Sequence, residues 1–385
     1  MVGLALLLAL MLELAAGTLR TLRWKLIPPA RWSQLEIFRD AAWADEYHAE
    51  LDRAWGAEWR SYVYWRRTAF AGKYINVDAD GFRRTWRNPQ APPGAVPFRI
   101  FALGGSTMWG VGARDDFTIA SLLAKLLAEQ APGLDISVTN FGEYGYVSTQ
   151  ELLTLELELQ KGNVPDLVIF YDAINDVFSA FQNRVAGKPQ NELQRRLDFE
   201  NRPLAIANRA FTESQAFKPL FWWVQRRAFG DVAAGRTSEQ QGILARDTVK
   251  IYASNLAIVS ALGERYRFES LFYWQPVIFT KLRPSEDERK TLASENVSKQ
   301  RDLFLSTYAI VRNEGELGRN PRFHDIQDIF GDDPRSVFID AYHISEAGNE
   351  IIARRILEDL MKLLPPTTPA AAGSAPPRRD TARPS

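Results

Sequence analysis

The feature that most constrains the fold is an alternation, from about residue 97 to residue 363, of short apolar segments with longer segments of helical character. Strands buried on both faces read as continuous apolar runs, and strands that alternate with helices form a parallel sheet. We therefore predict an α/β fold with helices flanking a parallel sheet. The predicted strands are Arg99–Leu103, Ile136–Asn140, Leu167–Tyr171, Ser270–Trp274 and Val337–Ile339. The predicted helices cover residues 117–130, 148–161, 247–265, 300–313 and 346–363.

An apolar segment opens the chain. Residues 2–19 contain one charged residue, Glu13, and basic residues follow at positions 20, 23 and 25. A membrane span needs about 20 apolar residues. Three interpretations stay open for residues 1–24: a membrane anchor, which we favour, a signal peptide cleaved near Ala15-Ala16-Gly17, and a helix that lies at an interface. We expect the following domain on the envelope or periplasmic side, although the basic residues favour the cytoplasm.

Residues 25–96 form an aromatic-rich extension. Seven of the eleven tryptophans lie between Trp24 and Trp86, and an amphipathic stretch (Asp45–Trp59) precedes the aromatic and basic run Tyr62–Arg67. We predict a helix and extended chain that pack on the main domain, with a glycan-stacking surface as the alternative. A cluster of prolines and glycine at positions 89–97 marks the boundary with residues 97–363.

Two further segments depart from the alternation. Residues 180–240 are rich in Arg, Asn and Gln and include Phe221-Trp-Trp223, so we predict an insertion near the active face, as a lid or as a helical decoration. Residues 364–385 consist mostly of Pro, Ala, Thr, Ser and Arg, and we predict that this tail is disordered.

Composition excludes several function classes. Lys plus Arg and Asp plus Glu both number 47, so there is no positive excess to bind nucleic acid. The absence of cysteine removes thiolate nucleophiles, disulfides and Cys-ligated metals, and the chain has only three histidines. We expect neither a metal nor another cofactor.

Polar and glycine-rich loops follow four of the predicted strands. They are Gly104–Gly110, Asn140–Ser148, Asp172–Asp176 and Asp340–His343. Ligands bind outside the carboxyl ends of the strands of an open parallel sheet, so these loops are expected to form the site.

The first loop matches none of the common glycine-rich motifs. Val111 stands where a P-loop has lysine, the dinucleotide pattern Gly-x-Gly-x-x-Gly cannot be fitted, and Met108 replaces the last glycine of the α/β-hydrolase elbow. What remains is Gly104-x-Ser106-x-x-x-Gly110.

Ser106, His343 and Asp340 are the candidate catalytic residues. A serine hydroxyl needs a base to take its proton, and the base needs an acidic group to orient it. Asp340 and His343, three residues apart on a tight turn, can supply both functions. His48 lies before the domain boundary and His324 in a polar stretch with no preceding predicted strand, so both are weaker candidates.

Acyl transfer also needs hydrogen-bond donors for the oxyanion. The backbone N–H groups of Ser106 and Gly145 and the side-chain amide of Asn175 are the candidates, since all three lie in loops at one sheet edge. The structural alternatives are a simple turn at Gly145 and a helix cap at Asn175.

With these motifs, residues 97–363 resemble the SGNH (GDSL-type) hydrolases. The resemblance rests on Gly104-x-Ser106-x-x-x-Gly110, Asn140-x-Gly-x-x-Gly145, Asn175-Asp176 and Asp340-x-x-His343. Gly105 replaces the usual aspartate and Ala173 a usual glycine. The resemblance implies a three-layer α/β/α sandwich like flavodoxin and metal-free ester hydrolysis or O-acyl transfer.

We therefore expect a serine esterase that forms an acyl-enzyme, acting on an acylated small molecule, glycan or lipid of the envelope. Transfer of the acyl group to a polysaccharide is the first alternative. The second is a non-catalytic module that binds an acylated glycan, although binding alone would need neither a base nor an orienting carboxylate.

Overall fold

A computed structural model describes residues 32–90, 94–200, 237–313 and 317–364, together with residues 8, 11–20, 22, 214 and 315. Within residues 32–90, the extension has one α-helix and four short strands. These are α1 (Ala44–Arg53), the antiparallel hairpin β1 (Ala57–Arg60) with β2 (Tyr64–Arg67), and the antiparallel pair β3 (Phe70–Ala71) with β4 (Asn76–Val77).

Five parallel strands form the central sheet, in the order β6-β5-β7-β8-β9. This is the 2-1-3-4-5 order of flavodoxin-like sheets. The strands are β5 (Val96–Gly104), β6 (Leu134–Asn140), β7 (Leu167–Asp172), β8 (Glu269–Trp274) and β9 (Phe323–Asp325).

Helices cover both faces of this sheet. The described helices are α2 (Ser106–Trp109), α3 (Ile119–Gln130), α4 (Ser148–Gln160), α5 (Ile174–Asn183), α6 (Glu192–Glu200), α7 (Ser238–Tyr266), α8 (Glu286–Ala293), α9 (Glu295–Ser298), α10 (Arg301–Asn313) and α11 (Glu346–Leu360). Short 3-10 turns occur at Trp32–Gln34, Glu36–Phe38, Asp115–Phe117, Ile278–Thr280 and Leu317–Arg319. The five predicted helices are confirmed, and α7 begins nine residues earlier than predicted.

Alternate residues of each central strand enter two separate cores. Ile100 and Ile169 pack with α3 and α11 on one face, whereas Phe101 and Phe170 pack with α4, α5, α7 and α10 on the other. Every residue of β7 is buried, which explains its uninterrupted apolar sequence. The fold is a three-layer α/β/α sandwich, as predicted.

The fifth strand differs from the prediction. The edge strand is Phe323–Asp325, and it pairs with β8 alone. Val337–Ile339 does not join the sheet; Phe338 instead forms an isolated antiparallel bridge with Ile344. An edge strand has one strand neighbour and is partly exposed, so Phe323–Asp325 carries no apolar run that hydropathy could detect.

The extension is fixed to the loop that follows β5. Tyr47 Oη donates to the carbonyl of Gly110 at 3.2 Å and accepts from the N–H of Gly112 at 3.0 Å. The buried Arg83 donates to Asp115 at 2.7 Å, and its guanidinium lies 4.2 Å from the centre of the Trp109 ring. The predicted packing of the extension on the main domain is therefore observed.

Three predictions concern segments that lie partly or wholly outside the described residues. They are the hydrophobic helix over residues 1–24, of which residues 8, 11–20 and 22 are described and helical, the insertion at 180–240, most of which with its Phe221-Trp-Trp223 cluster is not described, and the tail at 364–385. Among the described residues, no helix is both long enough and apolar enough to cross a membrane.

Candidate active site

Ser106 lies where β5 ends and is the first residue of α2. Gly104 and Gly105 precede it, and a Cβ at Gly104 would approach the Tyr171 carbonyl of the neighbouring strand to 2.7 Å. Gly110 ends the short helix in a left-handed conformation (φ 103°), which glycine adopts without strain. The glycines therefore permit a sharp turn between strand and helix, with the serine at the sheet edge.

The three predicted catalytic residues form one hydrogen-bonded chain. Ser106 Oγ lies 2.7 Å from His343 Nε2, and His343 Nδ1 lies 2.7 Å from Asp340 Oδ2. This geometry suits a neutral imidazole that donates from Nδ1 to the carboxylate and accepts from the serine hydroxyl.

A hairpin-like loop, rather than the end of a sheet strand, carries Asp340 and His343. The N–H of Ile339 donates to the His343 carbonyl at 2.8 Å, and the N–H of Ser345 donates to the Val337 carbonyl at 3.0 Å. The prediction that Asp340 follows the last strand was therefore wrong, because residues 337–339 pair back within this loop. The predicted proximity of the three side chains was correct.

The loop also holds the Asp340 carboxylate in its charged form. Partial desolvation by itself would raise the pKa of Asp340, but its electrostatic interaction with His343 and hydrogen bonds from His343 and Tyr342 outweigh it, so the pKa is below its ordinary value. Both backbone N–H groups donate to Oδ1 at 2.8 Å. The carboxylate can thus stabilise an imidazolium at His343.

Asn175 is not a helix cap. The N-cap of α5 is Ala173, which makes no side-chain cap hydrogen bond. The oxygen of the Asn175 amide accepts from Gln190 Nε2 at 3.2 Å, which leaves the Nδ2 group to donate elsewhere. A Cβ at Gly105 would overlap Nδ2, so the amide nitrogen lies directly against the backbone beside Ser106.

Gly105 and Ala173, the two departures from the SGNH motifs, have different physical consequences. The missing side chain at Gly105 leaves the space that the Asn175 amide occupies. Ala173 adopts φ 118°, a region that favours glycine, so this buried residue is strained. The strain lies at the turn that directs Asn175 toward the serine.

Gly145 lies in the loop after β6 with φ 69°. Asn140 links this loop to the serine turn, because its amide donates to the Met108 carbonyl at 2.9 Å and its oxygen accepts from the N–H of Gly142 at 2.9 Å. A Cβ at Gly145 would come within 3.0 Å of the Gln190 amide. Gly145 and Asn175 therefore both lie next to Gln190.

Four of the five predicted site residues line one cavity of about 490 Å³. They are Ser106, Gly145, Asn175 and His343, and Asp340 lies behind His343. A larger depression of about 860 Å³ lies at the opposite ends of the strands, where β5 and β8 begin. It contains none of the predicted site residues. We therefore locate the candidate site at the smaller cavity. Its other lining residues are Trp55, Ala57, Trp65, Arg67, Tyr144, Ile174, Phe178, Gln190, Asn191, Arg195 and Tyr342.

Sequence reasoning missed the contribution of the extension to this cavity. Trp55, Ala57, Trp65 and Arg67 lie on or beside the hairpin β1–β2. The concentration of tryptophan before residue 86 was the available signal, and packing alone was the favoured interpretation. The hairpin instead forms one wall of the site.

A buried ion pair fixes this wall to the loop of Gly145. The Glu143 carboxylate is fully buried and accepts from the side chain and the backbone N–H of Arg67, both at 2.9 Å. It also lies 3.8 Å from Arg66, whose guanidinium donates to the Phe141 carbonyl. The position of Gly145 thus depends on two arginines of the extension.

Three carboxyl groups are buried behind Asn175. Burial raises the pKa of Asp172 to about 8 and that of Asp176 to about 6, and burial next to Asp172 raises the pKa of Glu151 well above its ordinary value. Asp176 accepts from the Ser148 hydroxyl at 2.6 Å. Burial therefore favours the protonated form of Asp172 and Glu151 at neutral pH, whereas Asp176, with a pKa of about 6, is mostly ionised there.

The other two histidines lie elsewhere in the fold. His48 stacks on Trp32 in the extension. His324 is within β9, which corrects its placement in a stretch without a strand, and lies 3.3 Å from Asp359. Among the described residues, no group of three or more His, Asp and Glu side chains could hold a metal ion. The expectation of a cofactor-free protein stays a prediction.

No protein-family model and no curated protein match the chain. Solved structures that resemble it include an acetyl xylan esterase (12% identity, TM-score 0.38, 68% of this chain and 100% of that chain). A lipase from a goat rumen metagenome (14%, 0.39, 67% and 95%) and a lipolytic G-D-S-L family protein of Veillonella parvula (13%, 0.36, 69% and 99%) also match. These neighbours are esterases and lipases, and likeness at this level does not indicate what this chain acts on.

Proposed function

We propose that the protein is a serine esterase of the SGNH type that hydrolyses an O-acyl ester through an acyl-enzyme. The observation that carries the proposal is the hydrogen-bonded chain from Ser106 through His343 to Asp340, with 2.7 Å at both links. A base and an orienting carboxylate next to an accessible serine have no use in simple binding, so the non-catalytic alternative is disfavoured.

The first half of the reaction acylates the serine. Ser106 Oγ attacks the ester carbonyl while His343 Nε2 takes the hydroxyl proton, and Asp340 stabilises the imidazolium. Collapse of the tetrahedral intermediate breaks the bond to the alcohol oxygen, which receives the proton from His343. Water then repeats the sequence on the acyl-enzyme and releases the acid.

The oxyanion of each intermediate needs donors that are already in place. We assign this role to the N–H groups of Ser106 and Gly145 and to Nδ2 of Asn175. Preorganised donors in a partly enclosed site stabilise developing charge better than water does, because they need no reorganisation. The reaction as written needs no metal.

Active-site labelling tests the proposal. A fluorophosphonate probe should label the wild-type protein at Ser106, and Ser106→Ala should remain unlabelled and inactive toward p-nitrophenyl acetate. Ser260→Ala is the matched control, because Ser260 lines the depression at the opposite ends of the strands and its replacement should not affect labelling. Equal labelling of wild type and Ser106→Ala would contradict the assignment.

A second candidate is transfer of the acyl group to a sugar hydroxyl. The open cavity favours it, because Gln190, Asn191 and Arg195 offer polar groups to a second alcohol close to the serine. Mass spectrometry of the products in the presence of oligosaccharide acceptors distinguishes the two outcomes. An acylated acceptor indicates a transferase, and free acid alone indicates a hydrolase.

We also propose that residues 1–24 attach the protein to a membrane with the catalytic domain on the envelope or periplasmic side. The support is the apolar sequence of residues 2–19. The full-length protein should stay with membranes through carbonate extraction, while a chain that starts near Trp24 should be released and remain active. Extraction of the intact full-length protein would contradict this proposal.

A further inference from the structure

One face of the hairpin β1–β2 points toward the catalytic cavity. In the antiparallel register Ala57 lies opposite Arg67, and Trp59 lies opposite Trp65. Directly opposed residues share a face, and so do residues two apart in one strand. Since Ala57, Trp65 and Arg67 line the cavity, Trp59 lies on the same face, one step farther out.

Two indole rings on or beside this hairpin remain exposed. Trp59 is 65% exposed and Trp55 is 53% exposed, although each is large enough to contribute substantially to a core. Trp55 is held edge-on against Tyr144, with ring centres 4.3 Å apart, and Trp59 rests on Tyr64 at 5.4 Å. Rigid aromatic surfaces that the fold holds in place but leaves open mark a binding surface.

The third tryptophan of this face, Trp65, is fixed by a hydrogen bond and stacks on Tyr64 at 6.5 Å. Its indole Nε1 donates to the Tyr144 carbonyl at 2.8 Å, and its ring packs edge-on against Tyr146 at 5.6 Å. The aromatic surface is therefore anchored to the loop that carries Gly145. A ligand on the hairpin would be aligned with the catalytic residues.

Polar side chains of α6 and the loop before it line the cavity together with the hairpin. Gln190 and Asn191 carry amides, and the guanidinium of Arg195 lies 4.6 Å from the Tyr64 ring and 5.2 Å from the Trp65 ring. The cations that line the cavity have acidic partners, because Arg195 lies 3.3 Å from Glu192 and Arg67 is paired with Glu143. The surface thus combines aromatic faces and hydrogen-bonding groups with balanced charge.

This combination fits a neutral sugar better than an acyl chain or an anion. The C–H face of a sugar ring packs on an indole, and its hydroxyl groups bond to amides and guanidinium groups. Ile174 and Phe178 add apolar lining, but the amide and guanidinium groups interrupt it, and a long acyl chain would bury those groups against hydrocarbon. An anion would require an unpaired cation.

We infer that Trp55, Trp59 and Trp65, with Gln190, Asn191 and Arg195, form a glycan-binding platform that holds the sugar residues flanking an acylated sugar at Ser106. The inference rests on the proposed esterase function and specifies its substrate class as a neutral O-acylated oligosaccharide. Trp55 and Trp59 bind the sugars that extend away from the scissile ester.

Chain-length dependence tests the platform. The probes are O-acetylated cello-, xylo- and manno-oligosaccharides of one to four residues, with p-nitrophenyl acetate as the small ester. For at least one series kcat/KM should increase with length, and Trp59→Ala should lower the ratio of tetrasaccharide to p-nitrophenyl acetate activity about two- to tenfold, the value of one aromatic contact. Tyr266→Ala, an exposed aromatic residue at the opposite sheet edge, is the matched control and should leave this ratio unchanged.

Two kinetic outcomes with the acetylated oligosaccharides would overturn the platform. One is an absence of length dependence in all three series, and the other is an unchanged ratio in Trp59→Ala. A preference for p-nitrophenyl palmitate over every acetylated oligosaccharide would likewise show that the surface binds lipid chains.

Calorimetry separates this inference from the proposed function. Ser106→Ala should bind an acetylated tetrasaccharide, and the added substitution Trp59→Ala should weaken that binding. If the wild type neither hydrolyses esters nor reacts with fluorophosphonate, the esterase proposal fails, whereas Trp59-dependent binding would still support the platform. Absence of binding to every probe would overturn the platform even if esterase activity is present.

Discussion

Replacement of Asn175 by alanine separates catalysis from folding. The variant removes the proposed oxyanion donor Nδ2, and loss of one such donor typically lowers kcat about 10²- to 10³-fold, or roughly 2.7 to 4 kcal/mol. KM should change little, because the donor interacts most strongly with charge that develops only in the transition state.

The cost to stability should be small. Asn175 is not a cap, and its one described side-chain hydrogen bond is the 3.2 Å contact from Gln190. Loss of such a bond typically costs about 0.5 to 1.5 kcal/mol, and the partly exposed Gln190 can bond to water instead. A large fall in kcat should therefore accompany a small change in melting temperature.

The assay measures kcat and KM for p-nitrophenyl acetate and thermal unfolding on the same preparation. Asn163→Ala is the matched control, because this asparagine donates to Glu158 before β7, at the other end of that strand. It should lower stability and leave kcat unchanged. A melting temperature lowered in Asn175→Ala with kcat within about threefold of wild type would refute the oxyanion role.

Three further predictions follow from the geometry. Asp340→Asn should lower kcat about 10⁴-fold, since it removes the carboxylate that orients and stabilises the His343 imidazolium. Arg67→Met should cost about 3 to 5 kcal/mol of unfolding free energy in urea titrations, because Glu143 would remain buried without its closest cation. Asp172, with its pKa raised to about 8, binds a proton in the native state that the unfolded chain releases, so stability should fall as pH rises from about 4 to about 8. Asp172→Asn should make this decrease shallower in melting curves recorded across that range.

Each of these has an outcome that contradicts it. Asp340→Asn with nearly wild-type turnover would remove the carboxylate from the mechanism. Arg84→Met is the control for the buried arginine, because the exposed Arg84–Asp116 pair at 3.3 Å should contribute at most about 1 kcal/mol. Equal losses of unfolding free energy in Arg67→Met and Arg84→Met would show that burial of the ion pair is unimportant. If melting temperature falls with pH equally in wild type and Asp172→Asn, the raised pKa of Asp172 is rejected.

The predictions succeeded where local sequence and sheet geometry agree. Four of the five strands and all five helices were found, because fully buried strands such as β7 have apolar sequences and the segments between them have helical character over 12 or more residues. The prediction of the fifth strand was wrong for the opposite reason. Phe323–Asp325 is a partly exposed edge strand, whereas Val337 and Phe338 are buried without joining the sheet.

The buried acids behind the site could not be predicted. Glu151, Asp172 and Asp176 occupy two helices and the end of one strand, where a carboxylate usually faces solvent. Their surroundings include Tyr252 of α7, which lies close enough to interact electrostatically with all three, and Trp274 of β8, which pairs with Asp172 in the sheet. Their raised pKa values therefore follow from tertiary contacts and not from any local pattern.

The sequence by itself determined that the loops after three central strands meet at the site. Parallel strands bring their carboxyl ends to the same end of the sheet. The residues that follow β5, β6 and β7 therefore lie close together regardless of how the side chains pack. The tertiary structure decided how His343 reaches Ser106, through a loop that pairs with itself, and which surface faces the catalytic residues. Trp59 and Arg67 belong to a hairpin whose position depends on a buried ion pair between segments 76 residues apart. Contacts at such separations arise from the packing of the whole chain, and local sequence carries no record of them.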